Sequence, residues 1–435
     1  MGLLQQVTIN TIYRVLFLVF QLLNTVLISR LIGPAGFGVY SLVIVNANLL
    51  LVFSSMGIPA GILYHASAKD LSLSRMGKII WFSSLLQLIL SLLIELIHHG
   101  VTGTYWIWPS PDRWAGIFGI VFFLAIVITE KYYALYNGFN RFPLYNLVVL
   151  IFSILLFLVL GFLIRSGAGT STVSTVILTY IAVQLIQAVF LVVLFKQKKI
   201  GQLTIADTAG IHKKFFTYSV YAFLANALFF LVTRVDFWIL NYFKGETELG
   251  IYALSSRIGQ MFLVFPALFA GVILPSITAK KLSGEKLQSM FRILNSLNLI
   301  SMFILALVAS WLFPFMFGEE FRASVLPLVI LLPGIFFLSA QTLLAAYFAG
   351  IGKPATNLYS TMISLAIVLI LDFILIPVYG AIGASLASTI AYAAGCIYTY
   401  SMYIGKENYP WARLLMNNAD KHDLKRLLSQ ALGEK

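Results

Sequence analysis

Three arginines lie inside long apolar stretches of the sequence: Arg14, Arg234 and Arg257. A guanidinium presents a planar fork of N–H donors that matches the oxygens of phosphates and carboxylates. An ionisable group in an apolar spanning segment usually faces a bundle interior or a water-filled cavity. These arginines therefore predict a site that binds an anionic group.

Polar residues follow helical spacing around Arg14 on the first apolar stretch. They include Gln21 and Asn24, and together they form one stripe on the predicted helix. In one interpretation Arg14, Gln21 and Asn24 bind substrate in a cavity. In the alternative they form a hydrogen-bonded seam between helices, and Arg14 extends to the membrane interface.

Arg234, Asp236 and Arg257 are predicted to form one cluster with a surplus positive charge. As a buried ion pair, Arg234 and Asp236 would fix the packing of two helices. As an anion site, the same pair would open when substrate arrives. The sequence leaves both interpretations open.

Three acidic residues are candidates for ion coupling: Asp236, Asp372 and Glu130. Intramembrane carboxylates often carry protons or cations in transporters. Glu130 stands beside Lys131 near the cytoplasmic end of its stretch, which favours an interfacial position, whereas Asp372 lies deeper.

Glu95, His98 and His99 bring two metal-ligand types together within five residues. Their place at the outer end of an apolar stretch favours an exposed interfacial loop instead. The chain carries no catalytic constellation and no Walker-type phosphate loop. We therefore expect no enzyme activity, no metal and no cofactor.

The composition defines the class of protein that must hold these residues. Of 435 residues, 60% are hydrophobic and 10% are charged, and the mean hydropathy is +0.93. A soluble chain is about a quarter charged, so a soluble enzyme, a nucleic-acid binder and a disulfide-rich secreted protein are all disfavoured. The single cysteine, Cys396, allows no intrachain disulfide.

The apolar residues form twelve runs, each about as long as the roughly 20 residues that a spanning helix needs. Their length excludes outer-membrane barrel strands, so the predicted fold is an all-α integral membrane protein. The runs are Thr11–Ile32, Val39–Leu63, Ile79–Ile97, Trp114–Tyr136, Leu144–Ile164, Val173–Phe195, Phe216–Phe243, Ile251–Ile273, Ile293–Phe317, Val325–Phe348, Leu358–Val378 and Ala381–Ile404.

The basic residues predict the orientation. The loops after even-numbered runs and the C-terminal tail hold 21 lysines and arginines, the opposite loops hold five, and three arginines lie within runs. The positive-inside rule therefore places both termini in the cytoplasm. The net charge of +13 thus comes mainly from basic residues in the predicted cytoplasmic loops and tail. It does not indicate nucleic-acid binding. The basic tail, residues 406–435, is either an amphipathic helix on the inner leaflet or a frayed segment.

An internal repeat divides the apolar runs into two sets of six. At an offset of 212, residues 33–42 resemble residues 245–254. An even number of spans gives both copies the same orientation, as in the parallel repeats of some transporters. We therefore expect six-helix lobes at residues 1–200 and 201–405, related by a parallel pseudo-two-fold axis. The offset also carries Ala134, Gly138, Arg141 and Tyr180 onto Ala346, Gly350, Lys353 and Tyr392.

Several motifs spread over nearly the whole chain are typical of one family. The chain resembles the polysaccharide and O-antigen flippases, a branch of the multidrug/oligosaccharidyl-lipid/polysaccharide (MOP) exporter superfamily. At residue 372 it departs from the family pattern, where asparagine is common in place of aspartate. The matching motifs are Arg30–Tyr40, Val235–Phe237, Leu249–Tyr252, Gly352–Pro354 and Ile376–Ser385.

This resemblance implies two six-helix lobes around a cationic cavity in a bacterial cytoplasmic membrane. It further implies that alternating access moves a polyprenyl-pyrophosphate-linked oligosaccharide from the inner to the outer leaflet. The expected partners are that lipid-linked glycan, bilayer lipids, a polysaccharide polymerase and glycosyltransferases. One alternative is a cation-coupled multidrug exporter of the same superfamily. Another is a membrane glycan polymerase, although the longest predicted outer loop, residues 98–113, is short for such an enzyme.

Overall fold

The computed structural model describes residues 3–68, 72–166, 172–197, 211–278, 284–407 and 420. Within these ranges the chain is helical, with a short 3-10 helix at Glu319–Ser324 and no strand. The helices are α1 Leu3–Ser55, α2 Ile58–Ala68, α3 Leu73–Thr102, α4 Arg113–Gly138, α5 Phe142–Arg165, α6 Val173–Gln197, α7 Ile211–Met261, α8 Val264–Thr278, α9 Gly284–Phe317, α10 Val325–Gly350, α11 Ala355–Tyr379 and α12 Ala381–Glu407.

Ten helices in the described part of the chain are long and apolar enough to cross a membrane. Helix α3 shows why their burial is the reverse of that in a soluble protein. Its buried face carries Ser83, Gln87 and Glu95, whereas Trp81 and Leu96 are exposed. Apolar side chains on the outside suit a lipid environment, and the chain is a multi-pass membrane protein.

Helices α1 and α7 are each interrupted by a glycine. They have 53 and 51 residues, which at 1.5 Å per residue far exceeds the roughly 30 Å of a bilayer core. Gly33 has φ 62° and ψ −175°, and Gly245 has φ 80° and ψ −177°. Only glycine adopts this region readily. The chain doubles back at Gly245. The evidence is the contact between Arg234, before the glycine, and Gln260, after it.

A second backbone feature recurs at the same offset of 212. The N–H of Arg141 donates to the carbonyl of Tyr136 at 2.7 Å, and that of Lys353 donates to the carbonyl of Phe348 at 2.8 Å. Asn140 and Gly352, which precede these cations, both have positive φ. The turns that end α4 and α10 are therefore built alike, as the sequence repeat predicts for these positions.

The chain forms two compact units, residues 1–230 and 231–435. The division falls inside α7 because the first part of α7 packs on α2 and the end of α1. His65 stacks on Phe215 at 5.4 Å, and Phe53 meets Phe223 at 5.8 Å. The predicted boundary between lobes, at residue 200, lies outside the described residues and stays a prediction.

Of the C-terminal tail, residues 406–435, the structure describes residues 406–407, at the end of α12, and Asp420. The carboxylate of Asp420 accepts hydrogen bonds from Nε and Nη2 of Arg292 on α9, each at 2.6 Å. The predicted amphipathic helix of the tail lies otherwise outside the described residues.

Candidate functional site

Arg234 and Asp236 lie on opposite faces of α7. Residues two apart on a helix do not face each other, and within the described chain these two side chains form no contact ion pair. Of the two interpretations that the sequence leaves open, a direct ion pair is therefore not what the described residues show. The two side chains instead bind different partners.

Arg234 is held by a neutral amide. Its Nη2 donates to Oε1 of Gln260 at 2.6 Å, and its guanidinium lies 5.1 Å from the centre of the Phe237 ring. Nε2 of Gln260 in turn donates to Oγ of Ser256 at 3.0 Å. Neither Gln260 nor Phe237 carries a charge, so none of these contacts neutralises the guanidinium.

Asp236 is fully buried among hydroxyl groups. Its Oδ2 accepts hydrogen bonds from the hydroxyl of Tyr252 and from Oγ of Ser388, the latter at 3.2 Å. Its other oxygen, Oδ1, has no hydrogen-bond partner in the part of the chain that the structure describes. The coupling role of Asp236 stays a prediction.

Asp372 on α11 is also fully buried, and neither of its carboxylate oxygens has a hydrogen-bond partner among the described residues. It lies within electrostatic reach of Asp236. The structure thus brings two of the three predicted coupling residues together.

Arg257 follows the reversal of α7 and is partly exposed. It lies within electrostatic reach of Arg234, which also senses Asp236. Asp236 and Arg257 thus both lie within electrostatic reach of Arg234, and the role of the three residues as one binding cluster stays a prediction.

The predicted stripe on α1 divides into two parts. The side chain of Asn24 is buried and donates to the backbone carbonyl and Oγ of Ser153 on α5, at 2.9 and 3.1 Å. Arg14 and Gln21 remain partly exposed. The seam interpretation thus fits Asn24, and the binding roles of all three residues stay predictions.

The count of 21 basic residues in the cytoplasmic loops and tail includes Lys131, and for this residue the loop assignment is wrong. It lies inside α4, is fully buried, and donates to Oγ of Ser84 at 2.8 Å and to Oε1 of Gln87 at 2.6 Å. Gln87 also donates to Oγ of Ser54 at 3.1 Å. The polar residues at helical spacing on α3 were the signal for such a partner. The adjacent Glu130 is partly exposed, and its Oε2 has no hydrogen-bond partner in the described chain.

Glu95 anchors the loop between α3 and α4, which the sequence predicts to be an outer loop. Its two oxygens accept the backbone N–H groups of Trp106 and Ile107 at 2.7 and 2.8 Å. The carboxylate is buried, contrary to the expected exposed loop. His99 stacks on Tyr105 at 4.4 Å, so this segment is organised by loop contacts.

Three charged residues of the second half of the repeat, Arg234, Asp236 and Asp372, have uncharged counterparts in the first half. At the offset of 212, Asn24 corresponds to Asp236, Leu22 to Arg234 and Leu160 to Asp372. The tyrosines are kept: Tyr40 meets Tyr180 edge-on at 5.4 Å, and their counterparts Tyr252 and Tyr392 also lie within electrostatic reach of each other. The two halves thus keep matching tyrosines but differ in ionisable groups.

Two solved structures of transporters share this fold. The lipid II flippase MurJ, in its inward closed conformation, matches with a TM-score of 0.66 at 16% identity, over 91% of this chain and 87% of that chain. An inward-facing multidrug resistance transporter of the MATE family in the MOP superfamily matches with a TM-score of 0.64 at 16% identity. The match covers 89% of this chain and 94% of that chain. This likeness defines the class by fold: a multi-pass membrane protein with the fold of MOP-superfamily transporters.

Residues 3–281 match the family model described as polysaccharide biosynthesis protein, and the chain belongs to that family. The family resemblance that the motifs indicate is thereby confirmed.

Two curated relatives carry names that fit this family. A "probable low-salt glycan biosynthesis flippase" of Haloferax volcanii is 22% identical over 191 residues, which are 42% of this chain and 40% of that protein. The capsular polysaccharide biosynthesis protein CapF of Staphylococcus aureus is 28% identical over 201 residues. These residues are 44% of this chain and 50% of that protein. The chain thus spans half or less of the length of these two relatives.

Proposed function

We propose that this protein is a flippase that moves a polyprenyl-pyrophosphate-linked oligosaccharide from the inner to the outer leaflet by alternating access. The observation that carries the proposal is the intramembrane guanidinium of Arg234, held by the neutral Gln260 at 2.6 Å. A cation kept without a contact counter-ion is suited to an anionic ligand. Pyrophosphate supplies that anion, and the family supplies the context of polysaccharide synthesis.

The proposed substrate-binding residues are Arg14, Arg234, Arg257, Gln21 and Asn24. The three arginines offset the charge of the pyrophosphate when it leaves water, and the two amides hydrogen-bond sugar hydroxyls or phosphate oxygens. The polyprenyl tail needs no polar partner because it stays in the bilayer.

The proposed topology has twelve crossings with both termini in the cytoplasm of a bacterial cell. The doubling back at Gly245 and the matching backbone at Gly33 support two crossings each for α7 and α1. With Lys131 moved into α4, the count of basic residues is 20 against five, which still favours cytoplasmic termini. The recurrent turn at Arg141 and Lys353 supports two six-helix lobes related by a parallel repeat.

The proposed coupling residues are Asp236 and Asp372, with Glu130 as a third candidate. The first two are buried, and between them they leave three carboxylate oxygens without hydrogen-bond partners in the described chain. A proton or cation that binds there and leaves on the other side of the membrane would couple transport to an ion gradient.

The acidic pair also favours the second candidate, a cation-coupled multidrug exporter. A cationic drug would be attracted to Asp236 and Asp372, whereas a pyrophosphate would be attracted to the arginines. The glycan-polymerase alternative gains no support from the outer loop between α3 and α4, which is short. A polymerase and glycosyltransferases are instead proposed as partners that consume and supply the lipid-linked glycan.

The deciding experiment reconstitutes the purified protein in vesicles that contain a lipid-linked oligosaccharide, with and without proton and sodium gradients. We expect protein-dependent translocation of the glycan headgroup, accelerated by one of the gradients. Transport of cationic drugs in the absence of glycan translocation would favour the exporter instead.

A further inference from the structure

The amide of Gln260 has a defined orientation. Because its Nε2 donates to Oγ of Ser256 at 3.0 Å, its Oε1 is turned toward Nη2 of Arg234. Ser256 is buried, whereas Gln260 and Arg234 are partly exposed. The two hydrogen bonds of Gln260, to Ser256 and from Arg234, therefore fix the guanidinium of Arg234, which is still accessible.

The contact uses a small part of the hydrogen-bonding capacity of the guanidinium. An arginine has five N–H donors, and one of those of Arg234 is engaged by Gln260. Phe237 covers one face of the guanidinium at 5.1 Å and accepts no conventional hydrogen bond. Within the described chain the other four N–H groups make no hydrogen bond, which is enough for a two-pronged contact with a phosphate.

The nearest acid on the same helix, Asp236, lies within electrostatic reach of this cation but makes no direct contact with it. Asp236 points to the opposite face of α7, where Tyr252 and Ser388 donate to it. Arg257 adds positive charge within electrostatic reach. The local arrangement thus orients a guanidinium while avoiding direct neutralisation.

We propose that Gln260 is a positioning residue for anion recognition, which holds Arg234 through a neutral acceptor so that the charge stays available to a substrate pyrophosphate. This inference rests on the proposed function. Glutamate has nearly the same size and the same acceptor atom, but it would form a charged pair with Arg234 and compete with the substrate. The choice of amide over carboxylate therefore determines which ligands the arginine accepts.

The test measures equilibrium binding of a fluorescent polyprenyl pyrophosphate, and of the uncharged polyprenol, to the full chain in nanodiscs. For Gln260→Glu we expect the affinity for the pyrophosphate to fall about 10- to 100-fold, with polyprenol binding unchanged. Thermal stability should be kept or raised, since the new ion pair is satisfied. Asn48→Asp is the matched control, because Asn48 corresponds to Gln260 at the offset of 212 and donates to the backbone carbonyl of Ile44.

A purely structural role gives a different result. It predicts that Gln260→Glu keeps both stability and pyrophosphate affinity, and this outcome would overturn the inference. If Gln260→Glu fails to fold, Gln260→Met takes its place, with an expected loss of about threefold or more for the pyrophosphate alone. Unchanged affinity in that variant also overturns the inference. If the wild-type protein binds no polyprenyl pyrophosphate, the proposed function fails together with this inference.

Discussion

Each ionisable side chain of the candidate site has a set of partners that suits a specific task. Arg234 contacts a neutral amide and an aromatic ring, so its charge is not cancelled by contact. Asp236 accepts from two hydroxyls on one oxygen and keeps the other without a hydrogen-bond partner in the described chain. The same α7 thus presents a cation on one face and an acid on the other, which would keep the proposed anion binding apart from the proposed ion coupling.

Replacement of Asp236 by asparagine tests the coupling role at the scale of a residue. Asparagine keeps the size and one acceptor oxygen, so Tyr252 and Ser388 can still donate to it. We expect Asp236→Asn to remove most of the acceleration by an ion gradient while the protein still inserts and binds polyprenyl pyrophosphate. The measurement compares translocation rates with and without a gradient, with Asp112→Asn at the exposed start of α4 as control. A gradient response equal to that of the wild type contradicts the coupling role.

The elements of the fold show how helices tolerate polar groups in a membrane. On α3 the polar side chains face inward, and Lys131 of α4 enters that face and donates to Ser84 and Gln87. On α1 and α7 the chain turns at glycines whose backbone angles exclude other residues. Packing at this scale therefore depends on a few side-chain and backbone positions rather than on apolar burial alone.

Lys131 and Gln87 should be energetically coupled. Lys131→Met leaves the acceptor of Gln87 unsatisfied in the bundle, and we expect a loss of about 1–3 kcal/mol in stability. The double variant Lys131→Met with Gln87→Leu should lose less than the sum of the single changes. Thermal unfolding in detergent measures both, and Lys78→Met, an exposed lysine on α3, serves as the control. Strictly additive losses would contradict the contact.

Gly245 should be sensitive to any side chain for a backbone reason alone. A Cβ at this position meets nothing within 4 Å, but φ is +80°. We expect Gly245→Ala to destabilise the protein by about 1–3 kcal/mol. Gly161→Ala is a matched control, since Gly161 lies in helical α5 with equally open surroundings, and that change should be neutral or stabilising. Equal stability of the two variants would show that the turn does not require glycine.

For the molecule as a whole, the sequence predicts helices such as α5 and α6 well because the bilayer core sets a minimum length and an apolar surface for a spanning helix. The run Leu144–Ile164 becomes α5 Phe142–Arg165, and Val173–Phe195 becomes α6 Val173–Gln197. The repeat is visible in sequence because Gly33 and Gly245 share a backbone geometry that other residues avoid.

Partners of individual polar groups are predicted less well, because they depend on tertiary packing. Proximity in sequence suggested that Arg234 pairs with Asp236, whereas the turn at Gly245 brings Gln260 to the arginine instead. A charge count placed Lys131 in a loop, although residues from another helix satisfy it within the bundle. Such pairings require the path of the chain, which composition and spacing do not contain.

The most direct test of the central claim is the initial rate at which a lipid-linked oligosaccharide headgroup crosses the membrane of reconstituted vesicles. With insertion and folding verified, we expect Arg234→Ala to lower this rate about tenfold or more, because the pyrophosphate loses a charge-assisted contact. Arg322→Ala, at an exposed arginine of the 3-10 helix, should leave the rate within about twofold. Full wild-type rates in both Arg234→Ala and Arg14→Ala would contradict the claim that these intramembrane arginines bind the pyrophosphate of the substrate.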